Sequence, residues 1–264
     1  MSNTNAVKLV GAVVLVLAMA VNLAQAGLGP PGNPGVIPTK ATVAGMTYGQ
    51  WGDAWWQWAF SIPAANNPVA DPTGQYAAVG QPDGPVWFLA GTFGGSAERT
   101  VTIPGGKYLF FPIVNQIWVN LPMWGDNPWS KDQESYARDL IGETIDTAAD
   151  LACEIDGVVV KHIAAYRCTT PKGGAFMVEF PEGDIWGLVG QVDLNGEIFQ
   201  AGSYGPSLQD GIYLMLAPLS PGQHTIHFTA TTWGGDWDLE VLYHLTVGPT
   251  VPVPASPDNS TALE

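Results

Sequence analysis

Three acidic residues alternate near the C-terminus, as Asp236-x-Asp238-x-Glu240. On a strand this spacing puts all three carboxylates on one face, with His227 across the ladder. Calcium takes several oxygen ligands of this kind, so Asp236, Asp238 and Glu240 form a candidate cation site. The plainer alternative is a solvated strand face. A second acidic group, Glu179, Glu182 and Asp184, has the chemistry required for glycoside hydrolysis, in which two carboxylates flank the scissile bond roughly 5–10 Å apart. The four histidines, His162, His224, His227 and His244, have no spacing that demands a metal. His224 and His227 lie three apart on an expected strand and so point to opposite faces. The sequence carries no nucleotide-binding loop, zinc-protease helix, GxSxG elbow or CxxC pair, and no residue is assigned a catalytic role.

Tryptophan is the other chemical signal. The chain has 11, where about five would be usual for its size. Trp51, Trp55 and Trp58 share one helical stripe and read as core. Trp56 lies off that stripe. Trp118, Trp124 and Trp129 are expected in a loop rich in Asn, Pro and Gly, and Trp233 occupies the Thr-Trp-Gly-Gly tip of a hairpin. Aromatic rings beside amides suit a sugar, whose apolar face stacks on a ring while its hydroxyls bond to polar groups. Trp56, Trp118, Trp124, Trp129 and Trp233 are therefore candidate ligand-binding residues. Their alternative role is packing of loops onto the core. Cys153 and Cys168 are the only cysteines, and in an exported protein a pair this close reads as a disulfide.

The elements that position these residues follow from periodicity and turn signals. Thr47 caps a first helix carrying Tyr48, Trp51, Trp55, Trp58 and Ala59, which Pro63 stops. Residues 66–84 form a turn-rich loop. Strands are expected at 86–93, 99–103 and 108–114, the last two as a hairpin around Pro104-Gly105-Gly106-Lys107. Ser130 and Gln133 have capping-box spacing at the start of a second helix. Tyr136, Ala137, Leu140, Ile141, Ile145, Ala148 and Leu151 line its apolar face, and Asp139, Glu143, Asp146 and Asp150 its acidic one. Asp156-Gly157 is a hairpin turn, and further strands are expected at 176–180, 211–216, 223–231 and 237–247. In the last hairpin the apolar faces pair when Phe228 lies opposite Leu239 and Ile226 opposite Val241, with Thr229 near Asp238 and His227 near Glu240. The sum is a mainly β chain, an antiparallel β-sandwich of jelly-roll type with two peripheral helices.

Lys8 is followed by an uncharged apolar run, Leu9–Val21, and by Ala24-Gln25-Ala26. This is the layout of a secretory signal cleaved after Ala26, too short to span a bilayer, and it places the product outside the cytoplasm, secreted or periplasmic. Without that segment eight basic residues face 24 acidic ones, a formal charge of −16. Such a surface repels nucleic acid and anionic lipid. Residues 27–44 read as a flexible leader, 45–248 as one domain and 249–264 as a disordered tail.

WWQWAFSIP, NPVADPTG, VGQPDGPVWFLAGTFGG, IPGGKYLFFPIVN and DGIYLMLAPLSPGQHTIHF resemble blocks of a family of secreted bacterial and archaeal proteins with no assigned activity. The resemblance runs from about Gly45 to Val247. It implies export and one integrated domain, and supplies no catalytic residues. Some members carry a second cysteine pair near the positions held here by Tyr76–Ala78 and Val101–Ile103, so one staple would be absent from this chain. The expected function is a non-catalytic β-sandwich that binds a glycan or cell-surface polymer through loop tryptophans, without a cofactor unless calcium sits at Asp236–Glu240. A glycan hydrolase and a structural envelope protein are the alternatives. No membrane insertion is expected.

Overall fold

The computed structural model describes residues 33–121, 129–189 and 199–249. The expected signal segment, the expected tail and Trp124 lie outside them.

Helix α1, Tyr48–Phe60, starts on the expected cap: Thr47 accepts from the Gln50 N–H, and the Gln50 side chain returns a bond to the Thr47 N–H at 2.9 Å. Its stripe of Trp51, Trp55 and Trp58 is buried, but so is most of the opposite face, including Trp56 and Phe60. The helix is therefore not peripheral. Loops cover the side away from the sheet, and each stripe indole donates to a loop carbonyl: Trp51 to Val43, Trp55 to Leu89 and Trp58 to Val79, at 3.0–3.1 Å.

Among the described residues ten strands form two mixed five-stranded sheets. In the first, β1 (Val86–Phe88) runs parallel to β3 (Tyr108–Val119), and β3 pairs antiparallel with the long β8 (Gly202–Leu216). The far edge of β8 carries β6 (Arg167–Thr169) and β7 (Phe176–Phe180). In the second, β2 (Gly95–Ile103) runs parallel to β10 (Trp237–Val247), followed by β9 (Gly222–Thr232), β4 (Ala149–Ile155) and β5 (Val158–Val159). The purely antiparallel arrangement expected above is thus corrected by one parallel pair in each sheet. The expected hairpin across Pro104–Lys107 does not form either. Its arms β2 and β3 enter different sheets, so the tight turn carries the chain between layers. Turn chemistry reports a reversal, not the identity of the strand that pairs.

Alternation along β3 shows the layering. The Phe110 ring meets Tyr48 of α1 at 5.9 Å, while the Phe111 ring meets Phe228 of the second sheet at 5.3 Å. The first sheet lies between α1 and the second sheet. Helix α2 (Lys131–Asp146) buries Ala137, Ile141 and Ile145 against β3 and β8. Tyr136 and Leu140, expected on that face, are exposed, and Ala148 and Leu151 lie beyond the helix end. From Asn33 onward, the segment expected as a leader is tied down. Val36 is fully buried and bridges to Leu216, and the Ile37 N–H donates to the Met215 carbonyl at 2.7 Å.

The last hairpin keeps its expected inward faces but in a register shifted by two. Val241 opposes Phe228, Tyr243 opposes Ile226 and Leu239 opposes Ala230. A two-residue shift leaves every side chain on its original face, so the apolar pattern cannot choose between the two registers. The tight tip chooses, because it pairs Thr232 directly with Trp237.

The two cysteines form no disulfide. Cys153 faces inward from β4 of the second sheet, while Cys168 sits on β6 of the first. The fourteen residues between them carry the chain from one sheet to the other. Burial pushes the Cys153 thiol up to about 12 and raises that of Cys168 as well.

Candidate functional site

Strand β1 ends after three residues, so from Pro112 to Gln116 no described strand pairs with the edge of β3 that faces away from β8. A cavity of about 120 Å³ lies there, room for roughly four waters at the liquid's share of about 30 Å³ each. Four parts of the chain wall it. Helix α1 brings Trp55 and Trp56, and the segment after β1 brings Gly91, Thr92 and Phe93. The bulge of β3 at Pro112–Val114 leads into Asn115 and Gln116, and the β9–β10 hairpin supplies Thr232, Trp233 and Trp237. Val69, Thr144, Ile185 and Leu239 complete the wall, and none of the described wall residues is ionisable.

Trp56 is held from behind, stacked on Phe60 at 5.3 Å and edge-on to Trp55 at 5.1 Å. Trp237 is fixed by its indole N–H, which donates to the Phe93 carbonyl at 2.9 Å. A Cβ on Gly94 would come within 2.9 Å of that nitrogen, and Gly94 also has a φ of +118°, so glycine is required there. Trp233 differs from both. Its side chain is 48% exposed and its backbone lies at φ +50°, a conformation that costs on the order of 1–3 kcal/mol for a residue other than glycine. The Thr147 hydroxyl helps hold it by accepting the Trp233 N–H at 3.0 Å. This backbone presents a half-exposed ring beside the cavity.

Among the polar wall groups, Thr232 is 1% exposed and its hydroxyl oxygen has no hydrogen-bond partner. Behind Asn115 lies a buried polar chain. The Asn115 amide nitrogen donates to the Tyr213 hydroxyl at 3.3 Å, and that hydroxyl donates to Gln209 Oε1 at 2.9 Å. Thr170 accepts from the Gln209 N–H and donates to Asp53 at 2.6 Å. Burial raises the Asp53 carboxyl to about 6, against hydrogen bonds from Thr170 and Gln209 that hold it down. Burial likewise raises the Tyr213 hydroxyl well above its usual range. The Trp56 indole nitrogen is buried without a hydrogen-bond partner.

The expected site residues are distributed unevenly. Trp56 and Trp233, far apart in sequence, meet at this cavity. Trp118 and Trp129 do not. They pack on a separate cluster of Ala137, Ile141 and Leu208 beneath α2, with the Trp118 ring edge-on to Tyr136 at 5.9 Å. The three alternating acids do not converge. Asp236 belongs to the turn before β10, Asp238 is exposed, and Glu240 is bonded to His227 at 2.8 Å. Among the described residues no three His, Cys, Asp or Glu side chains come together to hold a metal. Glu179 and Glu182 are exposed, and Asp184 is buried with Oδ1 accepting the Trp186 N–H at 2.7 Å. None of the three lines the cavity.

Compared with protein-family models, curated proteins and solved structures, the chain matches none. The reading of the site therefore rests on its own geometry. Trp237, Phe93 and Asn115 escaped the sequence reading. One local signal pointed to Asn115: the polar pair Asn115-Gln116 interrupts the apolar strand YLFFPIVNQIWV.

Proposed function

We propose that this protein is a non-catalytic binding protein acting outside the cytoplasm, which takes a neutral sugar ring of a glycan or cell-surface polymer into the cavity between α1, β3 and the β9–β10 tip. The observation that carries this reading is an uncharged cavity walled by Trp55, Trp56, Phe93, Trp233 and Trp237, with amide and hydroxyl groups between the rings. Rings supply stacking surface for the apolar face of a sugar, and a few placed polar groups orient its hydroxyls. Hydrolysis would require two carboxylates beside the bound ring, and the described wall has none. The export expectation concerns residues 1–26. Intact mass of the exported product tests it, and a mass that includes those residues contradicts it.

The binding test is a tryptophan-fluorescence titration of residues 27–264 against neutral soluble polysaccharides, with and without calcium. A saturable change is expected, independent of calcium. Replacing the exposed Trp233 with Ala should weaken binding by roughly 1–2 kcal/mol and leave the thermal midpoint nearly unchanged. A response that is flat across the panel, or a Trp233→Ala variant that binds normally, rejects this assignment and favours a structural role for the aromatics.

A further inference from the structure

The buried chain behind Asn115 has a direction. A carboxylate only accepts hydrogen bonds, so Asp53 anchors one end, accepting from the Thr170 hydroxyl at 2.6 Å. Gln209 Nε2 donates to the Gly49 carbonyl at 3.3 Å. A carbonyl only accepts, so the amide must face it with its nitrogen. Gln209 Oε1 is thereby turned toward Tyr213, from which it accepts at 2.9 Å. A hydroxyl has one proton to give, so toward Asn115 the Tyr213 oxygen can only accept. Asn115 meets it with Nδ2 at 3.3 Å.

The chain is built into the fold. A Cβ on Gly52 would come within 2.6 Å of Gln209 Nε2, and one on Gly211 within 2.6 Å of the Tyr213 ring and 2.7 Å of Asn115. Gln209 and Tyr213 are fully buried.

We propose that this directed chain holds Asn115 with its amide nitrogen inward and its carbonyl oxygen presented to the cavity, so that the site selects neutral ligands carrying a hydroxyl or amide N–H at that point. The proposal rests on the cavity being the binding site. It makes Asn115 the specificity-determining residue and Tyr213 its positioning residue. A misplaced acceptor opposite the wall oxygen would leave two buried acceptors facing each other, which is disfavoured.

Cyclohexanol and cyclohexanone test this as one-ring probes of nearly equal shape, one able to donate and the other only to accept. In fluorescence titrations of residues 27–264, cyclohexanol should bind about three- to tenfold more tightly, the range of one net hydrogen bond. Asn115→Leu, at a half-buried wall position, should bring the ratio to about one. Tyr213→Phe, which frees the amide to turn, should reduce it as well. If both probes bind equally, or if the Asn115→Leu ratio matches the parent, the proposal is overturned while the cavity stands as the site. If neither probe binds, the cavity reading and this proposal fall together.

Discussion

Arg99 is 1% exposed, and its guanidinium is satisfied by oxygens of the backbone and one phenol. It donates to the carbonyls of Asp71 at 2.7 Å, Ala90 at 2.6 Å and Gly91 at 3.0 Å, and to the Tyr243 hydroxyl at 2.9 Å. Those carbonyls belong to the connection that ends in the cavity wall at Gly91–Phe93. Removing the fork would take this donor from the Asp71 and Gly91 carbonyls, while Ala90 keeps the Tyr243 hydroxyl at 2.8 Å, at about 1–3 kcal/mol for each group that water cannot reach. Arg99→Met should therefore destabilise the fold by roughly 3–5 kcal/mol. Arg99→Lys should also be destabilising, because an ammonium cannot span four separated acceptors as a planar fork does. Urea unfolding of both variants checks this, and a loss below about 1 kcal/mol would show the fork to be dispensable. The period-two alternation of β2 sets Arg99 on the inward face with Ala97, Val101 and Ile103, but its residue type argues for solvent, and the sequence does not show what would satisfy it. Its partners come from distant segments.

At the scale of elements, what local pattern encodes was legible and what pairing encodes was not. The cap at Thr47 and the Trp51, Trp55, Trp58 stripe are properties of neighbouring turns, and α1 begins and packs as they require. The strand alternation of β9 and β10 likewise named the inward residues. Partner choice failed, because a tight turn at Pro104–Lys107 is compatible with a hairpin or with a step between sheets. The cysteines show the same limit: their separation allows a bridge, and only the sheets they join decide against it. Both should therefore be thiols in the folded, unreduced protein. A thiol reagent should find almost none in the native state, given the buried Cys153 and the raised thiol values, and two per chain after unfolding without reductant. Failure to find thiols after unfolding would establish the disulfide.

At the scale of the molecule, the buried chain at Asp53 links stability to pH. Its folded-state value of about 6 lies above the ordinary 3.8, so the native state holds this proton more tightly than the unfolded chain does. The resulting stability is full below about pH 4 and is lost as pH rises through about 6. The shift corresponds to about 3 kcal/mol. Asp53→Asn cannot ionise, so its unfolding free energy relative to the parent should rise by about that amount between pH 4 and pH 7. Denaturant melts across this range measure the difference, and a flat one would show that Asp53 is not protonated preferentially in the fold.

The sequence by itself determined the mainly β character, the two helices, the inward face of each long strand and the acidic charge. Each of these is read from composition or from a period of two or 3.6 residues, within a few neighbours. The tertiary structure alone decided which strands share a sheet, which of two equivalent registers the last hairpin adopts, and that Trp56 and Trp233 meet while Trp118 and Trp129 pack elsewhere. Such choices depend on closing long loops and filling one shared core. In both, the energy of a contact belongs to pairs of distant residues and is written in neither segment alone.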